Sequence, residues 1–137
     1  MKFAKITFWS AGAWGVLVVM PMYFIYGKVG TYSPPSPTHP EFYYGFVGVT
    51  LAGPFVFFVI ATDPVRFRPM IIPSLFEKVG YVAALVVLHV QNRITDLQLS
   101  AAAPDTFLCL LFVTALFKTR ARFLTHAQEV NLTGGLQ

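Results

Sequence analysis

Four long apolar runs divide this chain, and short polar or proline-rich breaks separate them. The first runs from Ile6 to about Tyr26, with no charge between Lys5 and Lys28. The second runs from about Pro40 to Thr62, and residues 42–62 carry no charge. A third covers about 72–91 and a fourth about 96–117, each interrupted by a few charged residues. Crossing the hydrocarbon of a bilayer takes about 20 residues of helix, and each run has roughly that length. A water-soluble bundle would instead need a polar outer face on every helix, and these segments lack one. The pattern predicts an all-α transmembrane four-helix bundle over residues 1–124, followed by a polar, flexible tail over 125–137.

Local signals refine the boundaries. A secretory leader has an apolar core of only about 7–15 residues and ends at a small-residue cleavage site. The first run is longer and ends in the bulky YFIYG, so it reads as a retained span. Pro21 should kink its outer third, and Ala11 with Gly15 forms a small-xxx-small pair suited to close helix contact. The next stretch, Lys28 to Pro40, holds four prolines in thirteen residues and reads as an extramembrane loop. Thr38 and Glu41 have capping-box spacing ahead of the second helix, with Pro40 tolerated in its first turn. In that helix Gly45, Gly48 and Ala52 share one face, and Gly53-Pro54 should bend it at mid-membrane. Pro73 and Ser74 mark the opening of the third helix. Thr95 and Gln98 form a second capping box, which starts the fourth at Asp96; a start at Pro104 is the alternative.

The sharpest break is DPVRFRP, Asp63 to Pro69, between the second and third runs. Its arginines give the orientation. Lys2, Lys5, Arg66, Arg68, Lys118, Arg120 and Arg122 fall on the corner side with Lys78 near it, and only Lys28 and Arg93 on the other: eight against two. Basic residues gather on the cytoplasmic side of a membrane protein, so both termini are expected in the cytoplasm. Arg66, Arg68, Lys118, Arg120 and Arg122 read chiefly as topology-setting residues that can also contact anionic lipid headgroups. Charged residues make up only 12% of the chain, about half the share in a soluble domain. The net charge of +4 forms no continuous basic stripe, which argues against nucleic acid as a partner. The expected partners are the lipid bilayer and other membrane subunits, or a second copy.

Chemistry in such a chain is sought where charge interrupts the apolar runs, because intramembrane charge is costly and faces the bundle interior. At about 1.5 Å rise per residue, Asp105 lies about 14 Å below the outer end of helix four, Tyr81 about 16 Å down helix three and Lys78 about 21 Å. Asp105, Tyr81, Lys78 and Glu77 are therefore expected as one interior polar cluster. It is either a salt-bridged lock between helices three and four or a ligand or proton site. A second, outer-face cluster comprises His39, Glu41, Tyr43, Tyr44 and His89. Aromatic-belt anchoring and loop structure are its ordinary roles, and no spacing on one helix marks it as a metal site. At the corner, Asp63, Arg66, Arg68 and Glu77 are candidates for mutual pairing. The lone Cys109 reads as a small packing residue. The chain carries no phosphate-cradling glycine loop, no HExxH, no Cys-x-x-Cys and no nucleophile elbow, so no catalytic residue and no cofactor is assigned. Asn131-Leu132-Thr133 matches a glycosylation acceptor, without meaning in the cytoplasm.

The segments THPEFYYGFVGVTLA, ATDPVRFRPMIIPSLFEKVGY and APDTFLCLLFVTALFKTR resemble a group of small, uncharacterised bacterial four-span membrane proteins. That group shares an HPEFYYGF-like opening, a DPVR-x-RP corner followed by Glu-Lys, and an aspartate in the last helix. The chain departs from it at Gly53-Pro54, where the group carries bulkier residues. A looser likeness in size and topology is to DoxX-like membrane proteins. The resemblance implies a bacterial inner-membrane location and no particular activity. The leading expectation is an accessory or assembly partner of a membrane complex. The alternative is a bundle that binds or transforms a lipid, quinone or other apolar molecule at the interior cluster, and a small oligomeric transporter is a third.

Overall fold

A computed structural model describes residues 2–32 and 34–134; the side chains of residues 121–123, 126, 127 and 129–134 fall outside that description. The helices are α1 (Lys2–Val19), α2 (Tyr26–Tyr32), α3 (Pro40–Thr62), α4 (Ile71–Val90), α5 (Asp96–Leu99) and α6 (Ala102–Gly134), and no strand occurs among the described residues. Short 3-10 turns at Met20–Phe24 and Arg68–Met70 extend α1 and introduce α4. Four stretches are long and apolar enough to cross a membrane: Lys2–Phe24, Pro40–Thr62, Arg68–Val90 and Asp96–Arg120. The protein is a multi-pass, all-α four-helix bundle.

Proline sets most of the breaks. Pro21 stands at the start of the Met20–Phe24 turn, where its missing N–H ends the α-helical ladder and the chain tightens into 3-10 pitch. The expected loop from Lys28 is shorter than its proline count implies, because α2 continues through Tyr32 and only the proline-bearing part lacks helix. The Thr38 capping box does not form. His39 is the N-cap residue of α3 without a side-chain bond, Pro40 is the first helical residue, and Glu41 turns to His39 instead. The second box does form. The Thr95 hydroxyl accepts from the Gln98 N–H, and the Gln98 side chain accepts from the Thr95 N–H at 2.9 Å. The helix it starts stops at Leu99, since the Pro104 ring would clash with the Ser100 carbonyl in a continuous helix. That carbonyl accepts from the Ala103 N–H at 3.0 Å instead, and α6 begins at Ala102. The fourth span therefore starts twice, at Asp96 as expected and again at Ala102, two residues before the alternative start at Pro104. Its end differs too: α6 runs past Phe117 through much of the expected tail to Gly134, and residues 135–137 of that tail lie outside the described residues.

At the outer end of α4 the chain reverses through Asn92, whose φ of 56° is left-handed. Asparagine tolerates that conformation better than most residues. The Asn92 N–H donates to His89 and the Arg93 N–H to Leu88, at 2.8 and 2.9 Å, closing the helix with a Schellman pattern. At the other end of the bundle Asp63 accepts from the Val65 and Arg66 N–H groups at 3.1 and 3.2 Å, which tightens the corner.

Helix α1 packs along α3 and also touches α6, α4 packs along α6, and α3 and α4 meet only sparsely. The core lies in the half of the bundle nearest the corner. Phe8, Phe57 and Phe112 form its centre, with ring centroids 4.5 Å apart for Phe8–Phe112 and 5.1 Å for Phe57–Phe112. All three are at most 1% exposed, and Ala11, Ile60, Ile71 and Ala115 close around them. Two glycines let α1 approach α3: a β-carbon at Gly12 would strike the Phe58 ring and one at Gly15 the Pro54 ring. Gly15 thus admits the proline that interrupts α3, which continues as helix through it. In lipid, such close van der Waals contact replaces hydrophobic burial as the force between helices.

Candidate functional site

The interior cluster assembles around Lys78. Its ammonium lies 3.1 Å from Asp105 Oδ1 on α6 and 3.3 Å from Glu77 Oε1 beside it on α4. Below it the Phe57 ring centroid is 5.5 Å away, so the polar cluster rests on the aromatic core. Lys78 is ten residues along the Arg68–Val90 span, about 15 Å at 1.5 Å per residue. Asp105 is nine residues along its own span, about 14 Å. The pair therefore sits near the middle of both candidate spans.

The three charged side chains are not equally sheltered. Lys78 and Asp105 are 12% and 19% exposed, whereas Glu77 is 37% exposed. Glu77 reaches towards α3, and its Oε2 lies 2.8 Å from where a β-carbon on Gly53 would stand. Gly53 thus clears the space that the carboxylate uses. Tyr81, one helical turn beyond Glu77, is 38% exposed, so it stands at the edge of the cluster and not inside it as expected. Cys109 is partly buried one turn beyond Asp105 on the same helix. The sequence reading treated Cys109 only as packing, although its i+4 spacing from Asp105 was the available signal. Gly53 and Phe57 were also missed as parts of this site, because nothing in one sequence pairs positions on α3 with Glu77 and Lys78.

The outer residues divide between two places. His39 Nδ1 and Glu41 Oε1 are 3.1 Å apart and exposed. Tyr43 donates to the Met22 carbonyl at 2.8 Å, Tyr26 donates to the Pro37 carbonyl at 2.9 Å, and Tyr44 stacks on Tyr23 and Tyr26. These tyrosines tie the outer ends of α1 and α3 together as an aromatic belt would. His89 faces Asp96 at 3.5 Å, across the α4–α5 turn. Among the described residues no three of His, Cys, Asp and Glu lie together as a metal ion would need.

At the corner, the contacts seen among the described residues do not pair Asp63, Arg66, Arg68 and Glu77 with one another. Asp63 is used by backbone N–H groups, Arg66 lies over the Phe67 ring, Arg68 donates to the Leu116 carbonyl at 3.3 Å, and Glu77 is engaged deeper, at Lys78. Lys118 covers the Phe3 ring at 4.3 Å, and Arg120 is exposed. The side chain of Arg122 lies outside the described residues. A shallow apolar groove of about 320 Å³ runs beside the Pro21 turn, lined by Val16, Leu17, Met20, Pro21 and Phe24.

The fold and its charged mid-membrane cluster define the class, an integral membrane protein with four spans. Compared with family models, curated proteins and solved structures, the chain matches none of them.

Proposed function

We propose that this chain is an accessory or assembly subunit of a bacterial inner-membrane complex, with both termini and the 63–69 corner in the cytoplasm. The observation that carries this reading is the exposure of Glu77. A carboxylate 37% exposed on the flank of a membrane-spanning helix is costly against lipid tails and calls for a covering partner. The surrounding surface suits one. Gly80 has nothing within 4 Å of where its β-carbon would be, and Ala84 is exposed one turn further along. Small residues let a neighbouring helix backbone come close. The orientation is supported by Lys2, Lys5, Arg66, Arg68, Lys118 and Arg120 at the corner end. The likeness to small bacterial four-span proteins, loosely DoxX-like, supports the choice of membrane.

The test is purification of the tagged full chain from its native membrane in mild detergent. A larger membrane complex recovered in fixed ratio is the expected result. Recovery of the chain alone, or with only lipid or quinone, overturns it. The second outcome is the one the alternative requires: an apolar small molecule bound at Asp105, Tyr81, Lys78 and Glu77. That reading is favoured by the Lys78–Asp105 pair, which places opposite charges on facing helices near the middle of two candidate spans.

A further inference from the structure

The mid-membrane cluster holds two carboxylates and one ammonium. Its formal charge with all three ionised is −1, an excess that is costly at the depth of a membrane span. Lys78 is shared. It makes the shorter contact with the more sheltered Asp105, at 3.1 Å against 3.3 Å for Glu77. Glu77 is the member that reaches the outside of the bundle, so it is there that a charge from outside can meet the cluster.

Beside that carboxylate the surface of α4 is shaped for a helix. Glu77, Gly80 and Ala84 fall at i, i+3 and i+7, on one helical face. The space over Gly80 is empty to 4 Å, and Ala84 is exposed. Helix α3 leaves most of the seam open because it meets α4 only sparsely, and it comes close to Glu77 only at Gly53, which has no side chain to cover the carboxylate.

We infer that the occupant of this seam is a transmembrane helix of a partner protein with a lysine or arginine at mid-membrane, which pairs with Glu77. Charge decides among the possible occupants. A plain apolar helix or lipid tail would leave the excess negative charge uncompensated in hydrocarbon. A second copy using the same face would bring a second −1 to the contact. A basic side chain neutralises the cluster, and its long apolar stem can extend along the seam before the charge meets Glu77. The inference rests on the assembly reading and supplies the chemistry of the partner.

The probe is a pair of synthetic leucine-alanine transmembrane peptides carrying a dansyl group, identical except for a central lysine or a central methionine. Each is titrated against the full-length protein in phosphatidylcholine vesicles. Energy transfer from Trp9 and Trp14, the chain's two tryptophans, reports binding. The lysine peptide is expected to give half-maximal transfer at an at least tenfold lower mole fraction than the methionine peptide. Glu77→Gln should erase that difference and Glu77→Asp should keep it. Gly80→Leu should weaken binding of the lysine peptide with the charge untouched; a β-carbon there meets nothing within 4 Å, and an unchanged thermal midpoint in detergent checks that the fold is kept. Equal transfer by both peptides overturns the inference, whether because a proton on Glu77 already balances the cluster or because the face is covered by lipid. A preference that survives Glu77→Gln, or unchanged binding by Gly80→Leu, overturns it as well. So does loss of transfer as the protein-to-lipid ratio rises, which marks a second copy as the occupant. Equal transfer with a complex still recovered from native membranes leaves the assembly reading standing. Selective transfer with no such complex removes the assembly reading and leaves a seam that selects a cationic helix.

Discussion

The carboxylate of Glu77 occupies the space that a side chain on Gly53 would take: its Oε2 is 2.8 Å from that β-carbon position. The contact is with the far end of a flexible side chain, whereas Gly15 faces the rigid ring of Pro54. Two glycine-to-alanine changes on neighbouring helices should therefore differ. Gly15→Ala wedges α1 away from α3 and should destabilise by about 1–3 kcal/mol, the usual cost of overpacking. Gly53→Ala can swing Glu77 aside and gains up to about 1 kcal/mol of helix propensity, so its thermal midpoint in detergent should stay near that of the parent. A Gly53→Ala loss as large as that of Gly15→Ala would mean that the carboxylate is held fast where it is.

Lys78 and Asp105 offer a second test. Removing one member of a sheltered ion pair leaves an uncompensated charge and typically costs about 3–5 kcal/mol. Lys78→Met strands two carboxylates and should be the most damaging single change at the cluster. Asp105→Asn leaves Lys78 with Glu77 and should cost less. The double variant Lys78→Met/Asp105→Asn should recover part of the Lys78→Met loss, because it removes one of the stranded charges. Thermal unfolding of the four proteins in one detergent gives the coupling directly. Independent, additive effects would show that the 3.1 Å contact contributes nothing to holding α4 on α6.

Much of this arrangement can be read from the chain. The four spans follow from the length of apolar runs, and the joining of Lys78, Glu77 and Asp105 follows from depth arithmetic along two helices. The Thr95–Gln98 box forms as its spacing predicts. The equivalent box at Thr38–Glu41 does not, because His39, lying between them, takes the Glu41 carboxylate and the helix starts at Pro40. The break between α5 and α6 combines two local signals that compete, a capping box at Thr95 and a proline at residue 104, and each wins over its own turn. The use of Gly53 and Phe57 was hidden for another reason. Their roles depend on the rotation of α3 about its axis relative to α4, and a helix that is apolar all round gives no periodicity from which to read that rotation.

Orientation can be checked at the corner. In Arg66→Cys the new thiol is expected in the cytoplasm, so a membrane-impermeant maleimide should leave intact cells unlabelled and react after permeabilisation. The native Cys109, with Cys109→Ser as background, controls for labelling elsewhere. Asn92→Cys, at the opposite end of α4, should label from outside. The reverse pattern would invert the whole bundle and place Lys2, Lys5, Arg66 and Arg68 outside.

The aromatic centre supports the charged cluster, and this relation yields the last prediction. Phe112 is fully buried between Phe8 and Phe57, while Phe107, on the same helix, is 62% exposed. Truncating a buried phenylalanine to alanine costs about 3–5 kcal/mol through lost contacts and the cavity left behind. A side chain facing detergent or lipid leaves no such cavity, so Phe107→Ala should stay within about 0.5 kcal/mol of the parent. Phe112→Ala should also loosen Phe57, against which it packs at 5.1 Å, and so the ring 5.5 Å beneath the Lys78 ammonium. Its effect should therefore be coupled to that of Lys78→Met, with a double variant less destabilised than the sum of the two. Phe107→Ala, without contact to that centre, should add to Lys78→Met without coupling. Equal losses for Phe107→Ala and Phe112→Ala would contradict the packing of α6 with Phe112 inward, and with it the placement of Asp105 opposite Lys78.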